Sequence, residues 1–345
     1  MRLSVLFSLV VVSLYSAQHN DIRRDGHNWS LTEQGALSVD ARGQVRIKTS
    51  GNIRLRGIQG DQFTYKLTRT VRTATEEDAR ALLRGFPLTT ARQGPTALLE
   101  VAYGPIATTL EVTVPRTLES VAIQILGGDI DVSDLNGSLS AEASGGRINI
   151  GRVGGNVDIR AAGGAIVLDA IGRNARCLSG GGAISAGEIG GDAQFETGGG
   201  DILIRKAGGK VRATTAGGGI QILEAKGMVQ ANTFGGSIRV GPAKGVHCES
   251  ASGSIEAQFL PGVAMLDSFL STGSGDITVW IPSNLQLSIR AQNEGSGNIR
   301  TLVSDFPGLR VVPSGAAVLG ELSLNGGGPL LQLAGSGGRI YIHKR

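Results

Sequence analysis

The chain has 345 residues, of which 41% are hydrophobic, 4% aromatic and 18% charged, with 54 glycines and a formal net charge of +4. So little aromatic bulk over so long a chain suits a thin aliphatic core extended by repetition better than one large globular core. The lysines and arginines are scattered without interleaved stacking aromatics, which argues against a nucleic-acid-binding surface.

Residues 1–17 read as a secretory signal peptide: Met1-Arg2 is a short basic start, Leu3 to Leu14 an apolar run, and Ser16-Ala17 a small-residue end, with Tyr15 a poor fit just before the cleavage region. No later stretch reaches the roughly 18 apolar residues that a spanning helix needs. The mature chain is therefore expected to be exported, to the periplasm, the cell surface or the medium, with no transmembrane segment. No cysteine lies near the signal's end, so no lipid-anchored cysteine is expected there.

After a linker over 18–34, residues 35–120 read as a β-rich cap. Alternation is clear in Val45-Arg46-Ile47-Lys48, in Ile53-Arg54-Leu55, in Phe63-Thr64-Tyr65-Lys66-Leu67 and in Leu110-Glu111-Val112-Thr113-Val114. Thr75-Glu76-Glu77-Asp78 is a capping-box start for one short helix that stops at Gly85.

Over 121–259 the chain becomes periodic. Counting from Ile130 in steps of nine lands on Ile130, Leu139, Ile148, Val157, Ile166, Ala175, Ile184, Ala193, Ile202, Val211, Ile220, Val229 and Ile238. A strand of about five residues plus a tight corner fills each step, so stacked steps make a β-solenoid. Every second member is isoleucine, so one coil holds two faces and about 18 residues. A second apolar column follows two residues on, from Val132 to Val240 on the first face and from Ala141 to Ala231 on the other, which points both columns inward. Residues between them should face solvent. Glycine pairs precede the strands as corners, and no helical pattern follows them as a phosphate-cradling loop would need. Val246 follows Ile238 by eight residues instead of nine, which places a one-residue deletion at the corner Gly241 to Gly245.

Residues 260–345 are expected to be an irregular continuation and C-terminal cap, with rungs at Ile277, Ile299 and Ile340. Trp280, Phe259, Phe269 and Phe306 would close that end as an aromatic plug. The two cysteines, Cys177 and Cys248, fall on one inward column about four coils apart, near 19 Å, too far for a disulfide.

The residues offer little catalytic chemistry. His19, His27, His247 and His343 lie far apart in sequence, with His247 expected to point outward, and no His or Cys metal spacing exists, so neither a metal nor a cofactor is expected. A calcium β-roll would need Gly and Asp where this chain has the inward Ile148 and Ile150. The acids Asp129, Asp131, Asp158, Asp192 and Asp201 read as separate solvated groups. What remains is side-chain ladders. On the first face these are Asp131, Asn149, Ser185, Gln221 and Arg239; on the second, Asp158, Arg176, Gln194, Arg212 and Gln230, which alternate polar and cationic groups suited to acidic glycans.

The rungs Gly-Gly-Asp129-Ile130-Asp131-Val132, Gly-Gly-Arg147-Ile148-Asn149-Ile150 and Gly-Gly-Asp201-Ile202-Leu203-Ile204, with the Gly43 to Leu55 opening and the terminal Gly338-Arg339-Ile340, resemble the bacterial putative-adhesin family. The likeness covers about residues 35–345. It implies an exported β-solenoid with a surface or envelope role and transfers no catalytic residue. The expectation is thus an all-β fold: a parallel β-solenoid (β-helix) of about 18 residues per coil, with an N-terminal β-rich cap containing one short helix. Its expected function is non-enzymatic, an adhesin-like module presenting ladders to a cell-envelope protein or polysaccharide. A self-assembling structural envelope scaffold is the alternative, and a polysaccharide-acting enzyme a minor one.

Overall fold

The computed structural model describes residues 22–40, 42–295 and 297–345, so the expected signal over 1–17 lies outside the described residues. Among those residues are 32 strands, a single α-helix and one 3-10 turn. They fall into two units, 1–162 and 163–345.

In the first unit, strands recur at the expected spacing: Ile130 pairs in parallel with Ile148, and Val121 with Leu139 and Leu139 with Val157. The segment expected as a cap contributes rungs of the same kind. Strand Gln44–Thr49 lies between Thr96–Val101 and Ser120–Ile125, parallel to both. Likewise Asn52–Ile58 lies between Ala107–Pro115 and Ile130–Ser133. The residues expected as a linker form strands Arg23–Asp25 and Asn28–Leu37, the latter antiparallel to Phe63–Arg72. They order because Trp29 and Leu31 are buried against the helix residues Ala79 and Leu83, with Val71 and Ile106.

That helix, Glu76–Gly85, begins as its sequence requires: the Thr75 hydroxyl accepts the Asp78 N–H at 3.2 Å, and three acids fill the first turn. Its far end is closed by a side chain from the sheet. Arg69, buried, donates to the carbonyls of Leu83 and Phe86, both at 2.9 Å, and pairs with Glu33. Those bonds satisfy carbonyls that a helix end otherwise leaves open and neutralise a cation that would be costly to bury alone.

In the second unit one sheet stacks Ile166, Ile184, Ile202, Ile220, Ile238, Ile255, Ile277 and Ile340 in register, and the other stacks Ala175, Ala193, Val211, Val229 and Val246. All of these are buried, as are the second apolar columns. Val240 pairs with Ile222 a full coil back but Gly245 with Met228 one residue short of it, which puts the deletion between Val240 and Gly245 as expected, and a separate bulge against the next strand falls between Val240 and Pro242. Proline lacks the N–H that a regular rung would donate there. Cys177 and Cys248 occupy one inward column, separated by Phe195, Ala213 and Ala231, and neither is in a disulfide.

The last coil is laid down out of order. Strand Leu330–Gly335 lies between Ser268–Thr272 and Leu287–Asn293, and Ile340–Lys344 between Ile277–Ile281 and Leu302–Ser304. Two expectations for this end are corrected. Ile299 is no rung; it is 54% exposed in a 3-10 turn, and Leu302 takes the inward place opposite Ile340. Nor do the four aromatics form a plug. Phe259 and Phe306 are buried, but Trp280 and Phe269 fall on outward positions of strands Ile277–Ile281 and Ser268–Thr272 and stay half-exposed. A period of two permits nothing else once Val279 and Leu270 face inward.

The corners carry two further ladders. A Cβ placed on Gly146 (φ 79) would lie 1.8 Å from the Gly128 carbonyl oxygen, and one on Gly218 would lie 2.1 Å from that of Gly200, so close stacking of coils demands glycine at both. Beside them runs a buried hydroxyl column, Ser179, Thr197, Thr215, Thr233, Ser250 and Thr272. Five of these donate to a glycine carbonyl of the preceding coil, Thr197 to Gly182 at 2.8 Å and Thr215 to Gly200 at 2.9 Å among them.

Candidate ligand-binding face

Two adjacent strand residues on opposite sides of an inward one face the same way, so each outward column is a row of side chains separated by one rung, about 4.8 Å. On the second sheet of the second unit, parallel register places Arg176 beside Gln194, Gln194 beside Arg212, and Arg212 beside Gln230. Arg176, Gln194 and Arg212 are exposed and Gln230 half-buried. Four of the five expected residues are therefore contiguous. The fifth, Asp158, belongs to the first unit, where it faces Ser140 and lies 3.9 Å from the Arg160 guanidinium.

Charge pairing is common on the outward columns. Among the described residues, most outward cations near a rung's carboxylate are paired with it. Arg160 pairs with Glu142 at 3.1 Å, Lys206 with Glu188 at 3.8 Å, Arg290 with Glu321 at 3.7 Å, and Arg239 with Glu256 through two bonds of 2.8 and 3.2 Å. The Arg239–Glu256 contact raises the arginine's pKa, the hydrogen bond contributing most. Arg176 and Arg212 have no carboxylate within 4.0 Å among the described residues, though Glu196 sits exposed on the neighbouring column. Two rungs, about 10 Å, separate the two guanidinium stems.

The first-face ladder is largely spoken for. Asn149 donates to Asp131 at 2.9 Å, and Arg239 is held by Glu256, while Ser185 and Gln221 alternate with the apolar Val167 and Leu203. The scattered acids turn out to have a structural job. Asp129 accepts the Arg147 N–H at 2.7 Å, Asp192 the Lys210 N–H at 2.7 Å and Asp201 the Gly219 N–H at 2.7 Å, each one coil further on. They are corner clamps, a role that bare solvation would not give them. No group of three or more His, Cys, Asp or Glu suited to a metal occurs among the described residues.

No family model and no curated protein matches the sequence. Solved structures do. The chain is similar to a putative adhesin from Bacteroides fragilis at 14% identity, with 91% of this chain and 97% of that one covered and a TM-score of 0.27. A putative adhesin from Parabacteroides distasonis is 9% identical over 91% of this chain and 97% of its own, at a TM-score of 0.33. A putative lipid binding protein from the same species is 9% identical over 90% and 96%, at 0.34. These likenesses assign no role to any residue of the columns.

The same outward column also extends beyond what the repeat count reached. His247 follows Gln230, Phe269 follows His247, and Gln332 follows Phe269. His247 is exposed as expected, bonded to Glu249 at 3.0 Å and tilted against Phe269 at 5.1 Å between ring centres. Sequence spacing lost these residues because the coil length changes at each step; their only local signal is a place between two inward residues, as His247 has between Val246 and Cys248. No described helix is long and apolar enough to cross a membrane.

Proposed function

We propose that this chain is an exported, non-enzymatic binding module of the cell envelope that holds an acidic polysaccharide along the Arg176–Gln194–Arg212–Gln230 column. The supporting observation is that two exposed guanidinium groups without a carboxylate within 4.0 Å among the described residues stand in one contiguous outward column with two amides. Guanidinium forks recognise carboxylate and sulfate groups in a planar, two-bonded geometry, and interleaved amides suit sugar hydroxyls. Their spacing of about two rungs is close to one disaccharide of an extended glycan, so a polymer with one acid per disaccharide could meet both. Asp158 is left out of this site, since its charge opposes the ligand's.

The test is binding of polygalacturonate and hyaluronan to the chain and to an Arg176→Glu/Arg212→Glu double variant. Wild-type binding should weaken with added salt, and the variant should lose it while keeping its melting temperature, because both positions are exposed. Undiminished binding by the variant would reject this column. End-to-end self-assembly is less favoured by the sheet edges: Arg23–Asp25 is a three-residue charged strand, and Arg310–Ser314 carries Pro313.

A further inference from the structure

On the first sheet of the second unit, the last rungs present three outward rings side by side. Trp280 and His343 are lateral neighbours on paired strands, with ring centres 6.0 Å apart and planes 29° from parallel. Tyr341, two residues before His343 on the same strand, has its ring 6.0 Å away and within 8° of parallel. Val303, beside Tyr341 on the next strand, is 38% exposed. On this sheet the strands from Ile166–Ile171 to Ile255–Phe259 carry no outward aromatic ring, so this cluster is a departure from that sheet's repeat.

The rings have no core to fill, since Val279, Ile340 and Ile342 occupy the inward places. A contiguous half-exposed aromatic surface signals a partner more strongly than isolated apolar residues do. The groups around it identify the partner's chemistry. Asp305 is engaged by His343 Nδ1 at 3.0 Å and the Lys344 N–H at 3.1 Å, Asp276 accepts the Arg339 N–H at 2.8 Å, and Glu256 is held by Arg239. With these acids engaged by neighbouring donors, the remaining outward groups are planar hydrogen-bonding ones: Gln258 bonded to Arg345 at 2.9 Å, and Arg339 reaching the Tyr341 hydroxyl at 3.5 Å. A pyranose ring is complementary to that arrangement. Its axial C–H face is apolar and its equatorial hydroxyls need planar donors and acceptors at the rim.

We propose that the Trp280–His343–Tyr341 cluster is a stacking subsite for a neutral glycan, separate from the acidic-polymer column. The proposal does not rest on that column, which lies on the other sheet.

Calorimetric titration of the full chain with cellohexaose, xylohexaose, chitohexaose, mannohexaose and maltohexaose tests it. At least one should bind saturably, and Trp280→Ala and Tyr341→Ala should each weaken it about tenfold or more while the circular dichroism spectrum is unchanged. Arg176→Glu/Arg212→Glu should bind it as the wild type does. Because the chain has two tryptophans, Trp29→Phe leaves Trp280 as the sole indole, and its emission should shift with the same saturation curve. Absence of binding by all five oligosaccharides would overturn the proposal. So would binding that survives both aromatic substitutions, or that the arginine double variant abolishes.

Discussion

The hydroxyl of Thr215 donates to the carbonyl of Gly200 at 2.9 Å and accepts the N–H of Gly218 at 3.3 Å, so one buried side chain ties two successive corners together. The same pair of bonds recurs at Thr197, Thr233, Ser250 and Thr272. It solves a problem that close-stacked coils create: corner amides and carbonyls turn away from the strand ladder and would otherwise be buried unpaired.

Thr215→Val keeps the shape and removes both bonds, so it should destabilise the chain by about 1–3 kcal/mol. Thr215→Ser keeps the hydroxyl and should cost much less. Urea unfolding of the two variants checks this, and equal stability would show that water or relaxation satisfies the Gly200 carbonyl instead.

Gly218→Ala should cost about 1–3 kcal/mol, because its Cβ would sit 2.1 Å from the Gly200 carbonyl oxygen and force the coils apart. Gly199→Ala is the control: no atom lies within 4 Å of its Cβ position, so its melting temperature should stay close to wild type. A similar loss at both sites would mean that backbone entropy, not stacking distance, governs these corners.

Burial pushes the Cys248 thiol up to about 12. Its thiolate is therefore scarce at pH 8, and its column is closed to solvent. Native protein should take up almost no iodoacetamide over hours, whereas protein in concentrated urea should be alkylated at both Cys177 and Cys248. Stoichiometric labelling of the native chain would contradict the packing of this column.

The hydrogen bond from His343, with a further one from the Lys344 N–H, holds Asp305 below the ordinary carboxylate range. A depressed folded-state value means that this contribution is present above the unfolded value of about 4 and is lost as pH falls through the folded one. The stability gap between the wild type and Asp305→Asn should accordingly be open at pH 6 and narrow below about pH 4. A gap that widens with acid would reverse the sign.

Much of this molecule is legible in the sequence because a period of nine with a period of two inside it leaves one solution. Ile130, Ile148 and their successors must stack inward, the residues between must face out, and Arg176, Gln194, Arg212 and Gln230 must then stand in a row. The Thr75 cap likewise marks its helix without help from the fold. Tertiary structure decided whatever depends on which distant segment comes alongside. Gln44–Ile58 became a coil because strands 96–115 and 120–133 lie on either side of it, and Ile340–Lys344 became a rung inserted between strands nearer to it in space than in sequence. Spacing cannot foresee such insertions, since an excursion of any length can return to the same register. Nor could it separate a paired Arg239 from an unpaired Arg212, because whether a cation finds a carboxylate one rung away is settled by strand pairing.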